Sequence, residues 1–224
     1  MRPESAARVS LPRAGGAGGL LASHDARSLA ELLERAGGTP SAARSAAGRA
    51  LRHVFASSAT SASPAPPWDE ATLRALGVGA WAHAALLSLD VAPSLGIADE
   101  APSTDDTVRM ALRARDGALL ETVLIPGPNR TTVCLSSQVG CARACTFCET
   151  GRLGLARQLE AGEMIDQVRL ARCVWRARGG ATPLSNLVFM GMGEPFDNLG
   201  EVARAPSACS PTHAPSASPP RASR

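Results

Sequence analysis

The spacing of apolar positions changes twice along this chain, and each change predicts a different kind of element. Leu29, Leu32 and Leu33 follow Ser28 at helical spacing; Ser28 with Glu31 reads as a capping box, and Gly37-Gly38 as the stop. A weaker helical pattern runs over 41–55 and is followed by a Ser/Pro-rich break at 61–67. Leu73, Leu76, Trp81, Leu86 and Leu87 then predict one or two short helices within 68–89. Residues 28–100 are therefore expected to form a small helical N-terminal module. Residues 1–27, with Gly-Gly-Ala-Gly-Gly at 15–19, have no period and are expected to be a disordered lead-in.

From Thr107 the period becomes two. Val108, Met110 and Leu112 alternate with Arg109 and Arg113, Asp116-Gly117 supplies a turn, and Leu119 to Ile125 continues extended, which predicts a β-hairpin. A third β-branched run, Thr131 to Ser137, leads into a cysteine-rich loop. Met164, Ile165, Val168, Ala171 and Trp175 then mark a helix over 162–178, and Leu187 to Met190 is an apolar run of the kind buried in parallel sheets. Strand, loop, helix and strand make one βαβ unit, so the expected class is α/β, with a hairpin and the first part of a barrel over 101–202. Residues 203–224 are Ala, Pro, Ser, Arg and Thr without periodicity and are expected to be a disordered tail, as if the chain ended before its fold was complete.

At 224 residues the chain suits one ordinary domain, or a small domain beside part of a larger one, and is too short for a full (β/α)8 barrel with additions. The net charge of +3 neither demands nor excludes a polyanionic partner. No run approaches the roughly 18–20 apolar residues of a membrane helix, and no secretory signal is evident. The Arg-, Ala- and Ser-rich start resembles a transit peptide only until Asp25, Glu31 and Glu34 interrupt it, so a cytoplasmic protein is expected. In that setting the 6 cysteines point to metal or redox chemistry rather than a disulfide framework.

Three of those cysteines, Cys141, Cys145 and Cys148, stand as C-x3-C-x2-C. Thiolates so spaced can wrap one loop around a 4Fe-4S cubane and bind three of its irons, leaving the fourth iron to be chelated by the amino and carboxylate groups of S-adenosylmethionine. A zinc site is the rival. It wants a fourth ligand; neither Cys173 nor a histidine lies at finger-like distance, although Cys134 is close enough to serve. Phe147 reads either as a shield for the cluster or as a core residue, and Gly140 and Gly151 as points of close backbone approach to a cofactor. Met190-Gly-Met-Gly-Glu-Pro195 follows the apolar strand, where ligands of parallel sheets sit.

The stretch Cys134-Leu-Ser-Ser-Gln-Val-Gly-Cys141, with Cys148-Glu-Thr-Gly and Gly191-Met-Gly-Glu-Pro195, resembles the radical-SAM RNA adenine C2 methyltransferases of the RlmN and Cfr type. The likeness extends loosely back through Glu121-Thr-Val to the helical module and forward to about Val202. The resemblance implies a partial radical-SAM (β/α) barrel acting on ribosomal and, in some members, transfer RNA, with an electron donor such as flavodoxin or ferredoxin. It implies cluster ligation by Cys141, Cys145 and Cys148, S-adenosylmethionine contacts from Gly193 and Glu194, a proton acceptor at Glu121, and at Cys134 the thiol that resolves a crosslink with a methyl-carrying cysteine. That last cysteine has no match here, Cys209 included. Two alternatives stand beside this expectation: a radical-SAM enzyme with another substrate, and a non-catalytic iron–sulfur-binding fragment.

Overall fold

The computed structural model describes residues 21, 24, 26–57, 68–91 and 93–209. Most of the expected lead-in over 1–27, the whole break at 61–67 and the tail beyond 209 lie outside the described residues.

Helices α1 (Ala26–Arg35) and α2 (Pro40–Ser57) pack as a pair, followed by α3 (Glu70–Ala75), a 3-10 turn (Ala80–Ala82) and α4 (His83–Leu87). Their shared core joins Leu29 and Leu33 to Ala43, Ala46, Ala47, Ala50 and Leu51, all buried. Small side chains on α2 let the two helix axes approach closely while the leucines of α1 fill the space between. The expected cap moves: α1 begins at Ala26, so Ser28 lies in its first turn, whereas Asp69 does cap α3, accepting from the Thr72 N–H at 2.8 Å.

The second half is built on a sheet. Strands β1 (Leu95–Pro102), β2 (Val108–Ala114), β3 (Leu119–Pro126) and β4 (Thr131–Cys134) pair antiparallel in that order. Beyond β4 the chain forms a short ribbon, β5 (Gln138–Gly140) with β6 (Leu155–Gln158), with the four-residue helix α5 (Glu149–Arg152) between them. Helix α6 (Ala161–Ala177) then crosses back, β7 (Leu184–Val188) pairs parallel with β4, and α7 (Leu199–Cys209) packs on α6. The result is a mixed α/β fold with sheet order β1-β2-β3-β4-β7.

Alternation on β2 and β3 sends Met110, Leu112, Leu120 and Leu124 to the face covered by Met164, Ile165, Val168 and Ala171 of α6. Each such burial contributes about 1.5–3 kcal/mol relative to exposure. This core is tied to the segment leading from the helical module: Asp166 of α6 accepts from the Ser94 N–H and hydroxyl at 2.5 and 2.6 Å, and Arg115 pairs with Asp90 at 2.6 Å and donates to the Pro93 carbonyl at 3.3 Å.

Three boundaries differ from expectation. Strand β1 starts at Leu95, so the module boundary at 100 falls inside a strand; a bulge between Ile97 and Asp99 breaks the alternation that would have announced it. The strand expected at 187–190 runs over Leu184–Val188, because pairing with β4 and not apolarity sets its ends. Finally, α7 continues past 203 to Cys209, since Val202 and Ala205 pack on the α6 core.

Candidate functional site

The site gathers where β4, β7 and the β5–β6 ribbon meet. Past Cys134 the chain leaves the sheet, and its backbone groups are taken by the turn that follows β7. The Leu135 N–H donates to Val188 at 2.7 Å, Gly191 N–H to Leu135 at 3.0 Å, and Ser137 N–H to Met192 at 2.9 Å. The Ser136 hydroxyl donates to the Glu121 carbonyl at 2.6 Å and accepts from the Met192 N–H at 2.8 Å. Gln167 of α6 holds the same serine from beneath: its amide oxygen accepts from the Ser136 N–H and the Thr122 hydroxyl, and its nitrogen donates to the Ser136 carbonyl. Thr122, Ser136, Ser137 and Gln167 are buried, so a polar group of theirs left without a partner would cost about 1–3 kcal/mol.

The glycines of this region answer to the protein itself. Gly140 takes φ +78°, and a Cβ there would stand 1.8 Å from the Gly154 carbonyl oxygen. Gly193 takes φ +102°, and its Cβ would stand 2.6 Å from that of Gln138. The close approach expected of Gly140 and Gly151 toward a cofactor is, in the fold, an approach to Gly154 and to the Ala144–Cys145 backbone. Gln138 then extends the contact, accepting from the Glu194 N–H at 2.8 Å and donating to Gln158 at 2.9 Å. Glu194 closes its own turn, its carboxylate accepting from the Phe196 N–H at 3.1 Å.

The cysteine loop hangs from the β5–β6 ribbon. Cys141 N–H donates to the Gly154 carbonyl at 2.9 Å and Cys148 N–H to the Cys145 carbonyl at 3.0 Å. Cys141 is buried, Cys148 half-buried and Cys145 exposed, and all three are free thiols. Among the described residues, no three His, Cys, Asp or Glu side chains converge where a single metal ion could sit. A cubane does not ask for that convergence, because each thiolate binds its own iron. Three free thiols from one loop are, in their chemistry, the donor set that such a cluster takes. Phe147, beside Cys148, is 91% exposed and so is not a core residue.

Glu121 and Cys134 occupy the sheet face opposite α6. Val123 lies directly across from Cys134, Glu121 stands two residues back on β3, and Leu120, Thr122 and Leu124 point the other way. Burial pushes the Cys134 thiol above its ordinary value; the Met190 N–H opposes that shift, and the charge of Glu121 adds to it. Glu121 is half-exposed and pairs at 3.5 Å with Arg109. Thus the fold brings the glycine turn to Cys134 and Glu121 through Ser136 and Met190, and the cysteine loop to the same turn through Arg143 and Asp197. The guanidinium of Arg143 donates to the Asp197 carboxylate through Nε at 2.8 Å and also through Nη2. That contact, with the nearby charges of Asp197 and Glu194, favours the charged form of Arg143. Ser136, Gln138, Gln167 and the Arg143–Asp197 pair were not anticipated from sequence.

No family model matches the chain. Among curated proteins it is 70% identical over 185 residues to a Sorangium cellulosum protein named as a probable RNA methyltransferase, which covers 83% of this chain and 46% of that relative. It is 54% identical over 104 residues to the dual-specificity RNA methyltransferase RlmN of Anaeromyxobacter dehalogenans, covering 45% of this chain and 28% of the relative. The crystal structure of a radical SAM methyltransferase from Sphaerobacter thermophilus superposes with a TM-score of 0.60 at 35% identity, over 84% of this chain and 51% of that one. The chain thus spans about half or less of the length of these relatives. Over the part it spans, in sequence and in fold, the chain is similar to RNA methyltransferases named RlmN and to a radical SAM methyltransferase.

Proposed function

We propose that these residues serve methylation of C2 of an adenine in ribosomal RNA, and in transfer RNA, by a radical-SAM mechanism in the cytoplasm, and that the sheet with α6 is the first part of a (β/α) barrel. One observation carries the reading: a loop bearing three free thiols is joined to a glycine turn whose other neighbours are Cys134 and Glu121. Cys141, Cys145 and Cys148 would hold a 4Fe-4S cluster, which when bound supplies the electron that cleaves S-adenosylmethionine.

The remaining steps belong to the chain's own groups. Gly193 and Glu194 present backbone and carboxylate at the end of β7, where a carboxylate can receive an ammonium group. Glu121, half-exposed on the open sheet face and close enough to Cys134 for its charge to act on that thiol, would be the proton acceptor. Cys134 would be the thiol that resolves a crosslink; burial raises its pKa, so it would have to give up its proton, with Glu121 nearby, before it attacks. RNA and a flavodoxin- or ferredoxin-type donor are the partners this reading requires.

The test is anaerobic reconstitution with iron and sulfide, then assay of 5′-deoxyadenosine with and without RNA. Four irons with labile sulfide and RNA-dependent turnover in the full-length relative carrying these residues support the proposal. Stoichiometric zinc without labile sulfide overturns it.

A further inference from the structure

The cysteine loop is fastened by a residue lying between two of its thiols. Arg143 follows Cys141 by two positions, and its side chain leaves the loop to meet Asp197 through both Nε and Nη2. Among the described residues this is the one hydrogen-bonded side-chain link from positions 142–147 to the rest of the fold. Its far end is firmly seated. The Asp197 N–H donates to the Glu194 carbonyl at 3.0 Å, and the Asp197 carbonyl accepts from Gln158 at 2.9 Å. Next to it, the Asn198 amide donates to the Ser137 and Leu159 carbonyls at 2.8 and 2.7 Å.

The near end has little support of its own. Within the loop, Cys148 N–H reaches Cys145 at 3.0 Å, and Arg143 N–H reaches the Cys141 sulfur at 3.5 Å. Ala144 takes φ +49°, a left-handed conformation that a residue with a Cβ holds only when its surroundings impose it. A planar guanidinium meeting a carboxylate with two contacts fixes orientation as well as distance, which a single ammonium contact does not.

We propose that Arg143 is a positioning residue: its two-pronged pair with Asp197 pins the Cys141–Cys148 loop to the turn after Glu194 and so sets where the three thiols stand relative to that carboxylate. What the thiols hold rests on the iron–sulfur reading above; the pin itself is a property of the polypeptide.

Hydrogen–deuterium exchange on the metal-free full chain tests the pin directly, comparing wild type with R143Q, D197N and the conservative R143K. The expected result is amide exchange over 141–148 faster by about threefold to fivefold in R143Q and D197N, the scale of a partly exposed ion pair. R143K should fall between, and α6 should be unchanged. Equal exchange in all four proteins overturns the proposal, and so does equal acceleration of loop and α6, which would mark general loosening. After anaerobic loading, iron release to a chelator should quicken in the same order; faster loop exchange with unchanged iron release would also overturn it. A wild-type protein that takes up no iron would reject the iron–sulfur reading and leave the exchange comparison to decide the pin.

Discussion

The helical module and the sheet region bury their interiors by different rules. Around α1 and α2 the core is leucine and alanine, and among the described residues His83, with its Nε2 at 3.1 Å from the Val78 carbonyl, is the buried polar side chain of that module. Around β4 and α6 the interior contains Thr122, Thr131, Ser136, Ser137, Gln138, Asp166, Gln167 and Asn198. Apolar packing is non-directional and tolerates substitutions that conserve volume. A buried amide or hydroxyl must find its partner at one distance and one angle. The first region supplies stability, and the second specifies where the loops of the site stand.

Substitutions should separate the two rules. Leu33→Ala in the helical core should cost about 3–5 kcal/mol in denaturant unfolding, by lost burial and a residual cavity, yet leave the relative alkylation rates of the loop cysteines unchanged. If those rates change in the folded protein, the two regions are not independent. Gln167→Leu should cost about 2–4 kcal/mol because Ser136 and Thr122 lose their buried partner, and here Cys134 and Cys141 should become more reactive toward iodoacetamide. A stability loss without a reactivity change would reduce Gln167 to a packing residue. Gly193→Ala should cost about 1–3 kcal/mol, since it demands a Cβ at φ +102° against Gln138; urea titration with an unaltered slope checks it.

The smallest effect concerns pH. In metal-free protein Cys145 should alkylate first and Cys134 last, with Cys134 gaining rate only as pH passes its ordinary value of 9.0. The sign follows from the upward shift: the native state favours the protonated thiol. That contribution is whole at neutral pH and is lost as pH rises from 9.0 through the folded value. Cys134→Ser should flatten this alkaline loss, as measured by thermal unfolding at pH 8 to 11.

Elements with a local cause could be read from the chain. The Asp116-Gly117 hairpin and the long α6 follow from turn chemistry and period, and β2, β3 and α6 lie where those signals put them. Strands β5 and β6 span three and four residues, too few for alternation to register, and they exist because Gln138 pairs with Gln158 across the ribbon. At the site, C-x3-C-x2-C and the glycine turn are local patterns and were legible. The Arg143–Asp197 pair, 54 residues apart, and the Gln167–Ser136 bonds, 31 apart, come from how α6 and β7 fold back on β4, which no window of sequence contains. Glycine at 140 and 193 could be recognised as required, but whether the missing side chain makes room for a cofactor or for the protein's own backbone is a question about neighbours distant along the chain.

Asn198 shows how much can hang on the identity of one atom. Its side-chain nitrogen gives one hydrogen to the carbonyl of Ser137 and the other to that of Leu159, reinforcing the direct bond from the Leu159 N–H to the Ser137 carbonyl at 3.1 Å. An aspartate of the same shape would set a lone pair against each carbonyl, turning two attractions into two repulsions at unchanged volume. Deamidation here would therefore set the two segments against the bond that joins them, and the ageing of a single amide would register as a loosening at the root of the β5–β6 ribbon.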